Sequence, residues 1–415
     1  MSEVGYFQLL KSNRKFRFFW SAAIISMLGE WFNTIAIFTI LLSFTGSEAL
    51  LGLLFTIRLM SFALLQPIIG LLADRWQRKS IMIWSNLIQV GLALCFLLVD
   101  GPEDMWWMLA LNGIMMILHG AYMTAERAAL PNIVSDDELA TANALDSATW
   151  SFSLAIGAAL GGFVVSEYGT DWAFIIDSVT FLLGTLLILP VVIPQKISKE
   201  MQGPLFSTAF SNIKAGWVRT KNEARLFRII FAKASWNIAG GGLAAVYLVL
   251  AGSSITNIEM AAGMGLFYMA RGIGTGIGPI FARKVFLDEK KWPGLVGILV
   301  AASGILYFFV GLSLELNLFI ILFLIITAHA ASGANWVLST ILTQKWVEDE
   351  MRGRVFSMDM ILMSLSFSIS TLIAGALLEY NIFSLKEGML IFASVMVVAG
   401  ILFTLWRPDK ASASA

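Results

Sequence analysis

Long apolar runs alternating with short polar joints dominate the chain. Runs of 18 or more apolar residues recur, each long enough as a helix to cross a hydrocarbon core of roughly 30 Å. Twelve such spans are expected, at 17–45, 50–72, 81–99, 105–126, 145–166, 172–193, 226–251, 259–283, 293–314, 317–341, 355–378 and 387–406. A longer polar stretch, residues 195–225, divides them six and six. The pattern predicts an all-α membrane protein. A six-helix bundle in 1–194 is joined by a linker, 195–225, to a second six-helix bundle in 226–415.

Composition agrees with the pattern. Hydrophobic residues make up 58% of the chain and charged residues 13%, with a mean hydropathy of +0.79, whereas a soluble domain carries about a quarter charged residues. The formal charge is zero, so no electrostatic argument points to nucleic acid. The single cysteine, Cys95, has no intrachain partner for a disulfide. The basic N-terminus leads into a full-length span without an A-x-A-like cleavage site, so it is expected to be retained.

Lys and Arg favour cytoplasmic loops. With the N-terminus placed inside, Arg75, Arg78, Lys79, Arg127, Lys290, Lys291, Lys345, Arg352 and both tails fall on the cytoplasmic side, leaving Lys386 alone outside. Both termini are therefore expected in the cytoplasm. The absence of an N-x-S/T sequon favours a bacterial source, and the bacterial inner membrane is the expected location.

The two halves also repeat. "DDEL" at 136–139 and "EDEM" at 348–351 lie 212 residues apart, as do Glu167-Tyr168 and Glu379-Tyr380. Two six-span halves in the same orientation imply parallel repeats about an axis along the membrane normal, with substrate held between them near the midplane.

The first cytoplasmic hairpin reads "GLLADRWQRKS" (70–80). It resembles the G-x-L-A-D-R-x-G-R-[KR] signature of the major facilitator superfamily, with Gln77 in place of the second glycine. The resemblance implies a cytoplasmic latch of Gly70, Asp74, Arg75, Arg78 and Glu126. In this latch a glycine permits close helix approach, Asp74 faces the N-terminus of helix 11, and the arginines pair with acids such as Glu126. Gln77 is expected to fit a positive φ poorly. Residues 124–168 resemble the branch containing macrolide-type and enterobactin-type exporters. Within them, "SLAIGAALGG" (153–162) is similar to the glycine motif of exporters' helix 5, matching at Gly157, Gly161 and Gly162. Helix 8 carries "ARGIGTGIGPI" (270–280), with Gly272 and Gly276 among its glycines. No strand precedes this string, so it is no nucleotide loop. The family's architecture implies that the two glycine faces meet where the halves move.

Glu30 stands in an apolar run whose only other charge is Arg17. A lipid-exposed charge there would cost a few kcal/mol or more, so it is expected to face a cavity or a partner. It lies about 13 residues, or roughly 20 Å, into helix 1, past the midplane. It reads either as a proton carrier or as a brace for Arg58; Asp177 and Arg271 add embedded charge and join the proton-coupling candidates. The resemblance implies that helices 1, 4, 7 and 10 line the cavity, which makes His119, Lys233, Trp236, Asn237, His329, Asn335 and Trp336 substrate candidates. Lys233 is expected near the cytoplasmic end, free to snorkel. Asp146 and Asp359 are expected in first helical turns, where a carboxylate stabilises the N-terminus. Two histidines and Glu30 show no metal-ligand spacing, and no metal or cofactor is expected.

No hydrolytic triad, cofactor motif or ATP loop is present, so pumping would draw on an ion gradient and the chain is expected not to be an enzyme. The leading expectation is a monomeric, proton-driven exporter of amphiphilic or hydrophobic small molecules, working by alternating access. Alternatives are export of one metabolite such as a siderophore, lysophospholipid flipping, or a non-transporting sensor or scaffold.

Overall fold

A computed structural model describes residues 4–195, 205–254 and 258–406. The expected linker therefore falls partly outside the described residues, as does the side chain of Asp74. In chain order the α-helices are α1 (Tyr6–Ser12), α2 (Arg14–Thr45), α3 (Glu48–Arg75), α4 (Arg78–Cys95), α5 (Met105–Ala129), α6 (Asp136–Tyr168), α7 (Thr170–Ile188) and α8 (Leu205–Lys221). They continue as α9 (Ala224–Gly242), α10 (Leu248–Ser253), α11 (Met260–Val285), α12 (Trp292–Leu312), α13 (Leu318–Trp346), α14 (Asp349–Glu379) and α15 (Leu385–Leu405).

Among the described residues eleven helices are long and apolar enough to cross a membrane. The eighth expected span, 259–283, is the one outside that set and folds as the 26-residue α11; its six glycines, Arg271 and Pro279 leave it less apolar than the rest. The span expected at 226–251 runs through α9, a π-helical turn at Leu243–Tyr247, and α10. The turn follows Gly240-Gly241-Gly242, where the backbone has least steric restraint.

Hydropathy undershoots several helices because it marks only their membrane portion. α6 starts at Asp136, nine residues before the expected span, where Ser135 and Glu138 close a capping box. Asn13 caps α2 by accepting from Phe16 N and also donates to Glu138 Oε2 at 3.0 Å, fastening the chain's start to that box. Beyond the bundles, α8 is amphipathic and docks through Arg219, which donates from Nε and Nη2 to Glu348 at 2.9 Å each. The Arg219 guanidinium, helped by a backbone amide, holds the Glu348 carboxyl down to about 2.

Two helical bundles result. In the first, α2 packs on α6 and α7, α3 on α5, and α4 on α5 and α7; in the second, α11 packs on α13, α12 on α13 and α15, and α14 on α9. Outer faces carry exposed Phe163, Leu182, Phe309, Phe323 and Val398, a lipid-facing surface that water would not tolerate. The bundles meet along two seams, α6 on α11 and α3 on α14. Tight approaches require glycine there. A Cβ on Gly265 would lie 2.6 Å from the Ala158 carbonyl oxygen.

Candidate functional site

The first polar cluster forms where α2, α3 and α5 converge. α2 begins at Arg14, not near residue 17, so Glu30 is the seventeenth of its 32 residues and sits at the helix midpoint. Glu30 and Thr34 share a face at i, i+4; Asn112 and His119 share a face of α5 at i, i+7. Arg58 reaches in from α3 with its planar fork. Nη2 donates to Glu30 Oε1 at 3.2 Å and to Thr34 Oγ1 at 3.1 Å, while Nη1 donates to Asn112 Oδ1 at 2.9 Å. The second Glu30 oxygen lies 3.0 Å from His119 Nδ1. One carboxylate thus holds a fixed cation and a titratable ring together. The three side chains keep 13–19% exposure, so the group opens on space between helices.

Asp177 lies behind this cluster on α7. It is fully buried, and neither carboxyl oxygen has a hydrogen-bond partner. Asn33 is the nearest donor to its carboxyl, and Glu30 and Arg58 are within electrostatic range. Gly29 lets α2 approach: a Cβ there would fall 2.9 Å from Asp177 Oδ1.

The second bundle holds a cluster that differs from expectation. Lys233 does not snorkel. It forms a buried ion pair with Asp359 and places its ammonium 5.1 Å from the centroid of the Trp336 ring. Asp359 is the eleventh residue of α14, not a first-turn cap, because that helix starts at Asp349. Asp146 likewise stands eleven residues into α6. Trp336 is 46% exposed, yet it lies 13 residues, or about 220°, around α13 from lipid-facing Phe323. It therefore faces the interior. Asn237 lies one turn beyond Lys233 on α9 and is buried; Asn335 is buried with its Oδ1 unpaired.

The two histidines part company. His119 joins Glu30, whereas His329 is held by Tyr307 Oη at 2.6 Å and by Ser332 on its own helix. Trp236 packs edge-on against the His329 ring and donates to Ser303 Oγ at 3.1 Å. Among the described residues no group of three or more metal-ligating side chains forms. Arg271, at the middle of α11, donates from Nη1 to the carbonyl of Ala244 at 2.8 Å, inside the π-helical turn.

Latch and glycine positions are partly re-sorted. Gln77 adopts φ −66°, so the turn needs no left-handed residue. A Cβ on Gly70 would meet nothing within 4 Å, and no close approach depends on that glycine. Arg78 Nη1 donates to the Ala128 carbonyl at 2.6 Å and to Asn132 Oδ1 at 3.3 Å, just past Glu126, which is buried. Gln195 clasps the same hairpin: it accepts from Arg78 N and donates to the Trp76 carbonyl. Gly162 meets α11 at Ala261 and Gly265, Gly272 meets Ala155, and Gly276 meets Ser151, as expected of a seam between bundles. Gly157 and Gly161 do not join it; they pack on α2 at Trp31 and Phe32, inside the first bundle.

Sequence reasoning missed Thr34, Asn112, Tyr307 and the pairing of Asp359. Asn112 carried a legible signal, an amide in an apolar span two turns from His119. Two surface grooves, on outer faces of α12 and α15, are apolar and lined by none of these residues.

Two helical bundles with charged side chains buried between long apolar helices define a membrane transporter. The chain belongs to the Major Facilitator Superfamily, whose family model matches residues 19–255 and 288–415. It is similar to macrolide efflux protein A of Streptococcus pyogenes, 22% identical over 93% of this chain and 96% of that protein. It is also similar to the putative bacilysin exporter BacE of Bacillus subtilis, 23% identical over 75% of this chain and 76% of that one. Among solved structures, a bacterial homolog of the lysosomal transporter Spinster, inward-facing and unoccupied, superposes with a TM-score of 0.71 at 15% identity. That match covers 96% of this chain and 99% of that one.

Proposed function

We propose that the chain is a proton-coupled exporter of amphiphilic or hydrophobic small molecules. It works as a monomer by alternating access of residues 1–194 against 226–415, in a bacterial inner membrane with both termini cytoplasmic. The observation that carries this reading is Glu30, held at mid-helix between Arg58 and His119. A carboxylate shared by a permanent cation and an imidazole can exchange a proton for a partner. If Arg58 releases Glu30 and keeps only its other two partners, Thr34 and Asn112, the Glu30 carboxylate loses its cation and takes up H⁺; when the pair re-forms, the proton leaves. Asp177 supports the reading as a second carboxyl buried behind the same cluster, within electrostatic range of Glu30 and Arg58. Likeness to efflux proteins supports the direction of transport.

The bundles touch closely at the end away from the basic loops. Thr56 reaches Thr371 at 3.1 Å, and a Cβ on Gly375 would strike the Glu48 carbonyl oxygen at 2.4 Å. We read this arrangement as a cytoplasm-facing state.

The test uses proteoliposomes with an imposed ΔpH and a panel of lipophilic compounds. Glu30→Gln should abolish gradient-driven export while leaving equilibrium binding intact, because Gln imitates the protonated acid. Glu30→Gln with Arg58→Gln should fold but remain uncoupled. Restored ΔpH-driven export in the double variant would reduce Glu30 to a brace and remove it from coupling.

A further inference from the structure

Arg58, Lys233 and Arg271 stand well inside the bundles, and they are not treated alike. Arg58 is answered by Glu30 and Lys233 by Asp359. Arg271 has no carboxylate among the described residues. One Nη donates to the Ala244 carbonyl, which also accepts from Tyr268 Oη at 3.3 Å, and Nε is buried without a partner. A guanidinium stays protonated under all physiological conditions and offers five donors. Beyond Ala244 and Tyr268, Arg271's donors include a buried, unpaired Nε, in a place where an unanswered charge is costly and marks a functional site.

The surroundings say what would use them. Arg271 is the twelfth of 26 residues in α11, and its neighbour Gly272 sits against Ala155, so the charge lies at the seam between the bundles. Tyr268 stands 5.3 Å beneath the guanidinium and packs on Trp31 and Phe38 of α2, with ring centroids 5.7 and 5.8 Å away. Tyr307, with its hydroxyl on His329, lies within electrostatic range of Arg271 from the second bundle. A permanent cation, a phenol and an indole thus meet at the seam, the indole on the residue of α2 next to Glu30. Such a place suits a ligand with an anionic head and a flat or acyl apolar body.

We infer that Arg271 is the anion-binding group of the transport site and that the substrate carries a carboxylate or phosphate on a hydrophobic body. The head group pairs bidentately with Arg271, and the body lies against Trp31, the partly exposed ring of the set, with buried Tyr268 behind it. This rests on the transport reading above but not on its coupling ion. An anion bridging the seam would also draw α11 toward α2, tying occupancy to the bundle contact.

The test is equilibrium binding to the full-length protein in nanodiscs without any gradient, so failed coupling cannot imitate a failed site. Probes are 2-naphthoate against 2-naphthamide, and 14:0 lysophosphatidate against 14:0 monoacylglycerol, each corrected for binding to empty nanodiscs. Wild type should bind the anion at least tenfold more tightly than its neutral partner in one or both pairs. A preference in the first pair alone identifies a soluble organic acid, and in the second alone a lipid head group. Arg271→Gln should erase the preference and Arg271→Lys should retain part of it, with thermal unfolding used to confirm that each is folded. Equal binding of anion and neutral partner by wild type overturns the proposal without recourse to any variant. So does tighter binding of 2-naphthylmethylammonium, or a preference that survives in folded Arg271→Gln.

Discussion

At the scale of single residues, burial decides what each charge does. Lys233 and Glu30 look alike in the sequence, each an isolated charge in an apolar run. Yet Glu30 and its partners keep some exposure, while Lys233 and Asp359 are closed off almost completely. The pairing was illegible because its partners are 126 residues apart and hydropathy placed Asp359 in a first turn; only the true start of α14 moves it to mid-helix. Glu30's need for a partner was legible from its charge alone, and Arg58 was the one cation within the next expected span, 50–72. His119 as a second partner was not, since distance across helices has no sequence signature. A fully enclosed pair suits a fixed brace. Lys233→Met alone should destabilise the second bundle by about 3–5 kcal/mol, because Asp359 is left charged and unpaired. Lys233→Met with Asp359→Leu should recover most of that loss. Thermal unfolding in detergent reads the outcome, and a double variant no more stable than the single one would rule out a simple brace.

At the scale of helices, the spacing of small residues settles which partner each face takes. On α6, Ser151, Ala155, Ala158 and Gly162 follow a stripe that meets α11, while Gly157 and Gly161 form a second stripe against α2. The glycine-rich run was readable in the sequence; its division between two neighbours was not, because 3.6 residues per turn carries successive glycines onto different faces. The two stripes should respond differently to bulk. Gly161→Leu fills a static contact within one bundle and should lower folded yield. Gly276→Leu meets only the Ser151 side chain at 3.1 Å, on the seam itself, and should leave the protein folded but slow transport by an order of magnitude or more. Yield by size-exclusion chromatography and turnover in liposomes separate the two effects. Full turnover in Gly276→Leu would show that this part of the seam stays open throughout the cycle.

At the scale of the whole molecule, the repeat gives the two bundles but not their asymmetry. Glu167 and Glu379 occupy equivalent positions 212 residues apart. Glu167 is exposed, whereas Glu379, at the end of α14, crosses to the other bundle. Its Oε2 accepts from Ser47 Oγ at 2.7 Å and from Ala49 N at 3.0 Å, capping the first turn of α3. A capping carboxylate normally belongs to the helix it caps; here it comes from the opposite bundle, so the bond can persist only while this end stays closed. Losing such a cap costs about 1 kcal/mol, enough to shift a two-state population roughly fivefold. Glu379→Ala should therefore favour the state open at this end, raising maleimide labelling of a cysteine placed at Thr56 beneath the cap in a Cys95→Ser background. Ser47 also caps α3 through Leu50 N, so Ser47→Ala would weaken the helix itself, and Glu379 gives the cleaner test. If labelling at position 56 stays at the level of the same background with Glu379 intact, the cap plays no part in holding this end shut, and the closure must rest on the close backbone contacts at Gly52, Gly375 and Gly162.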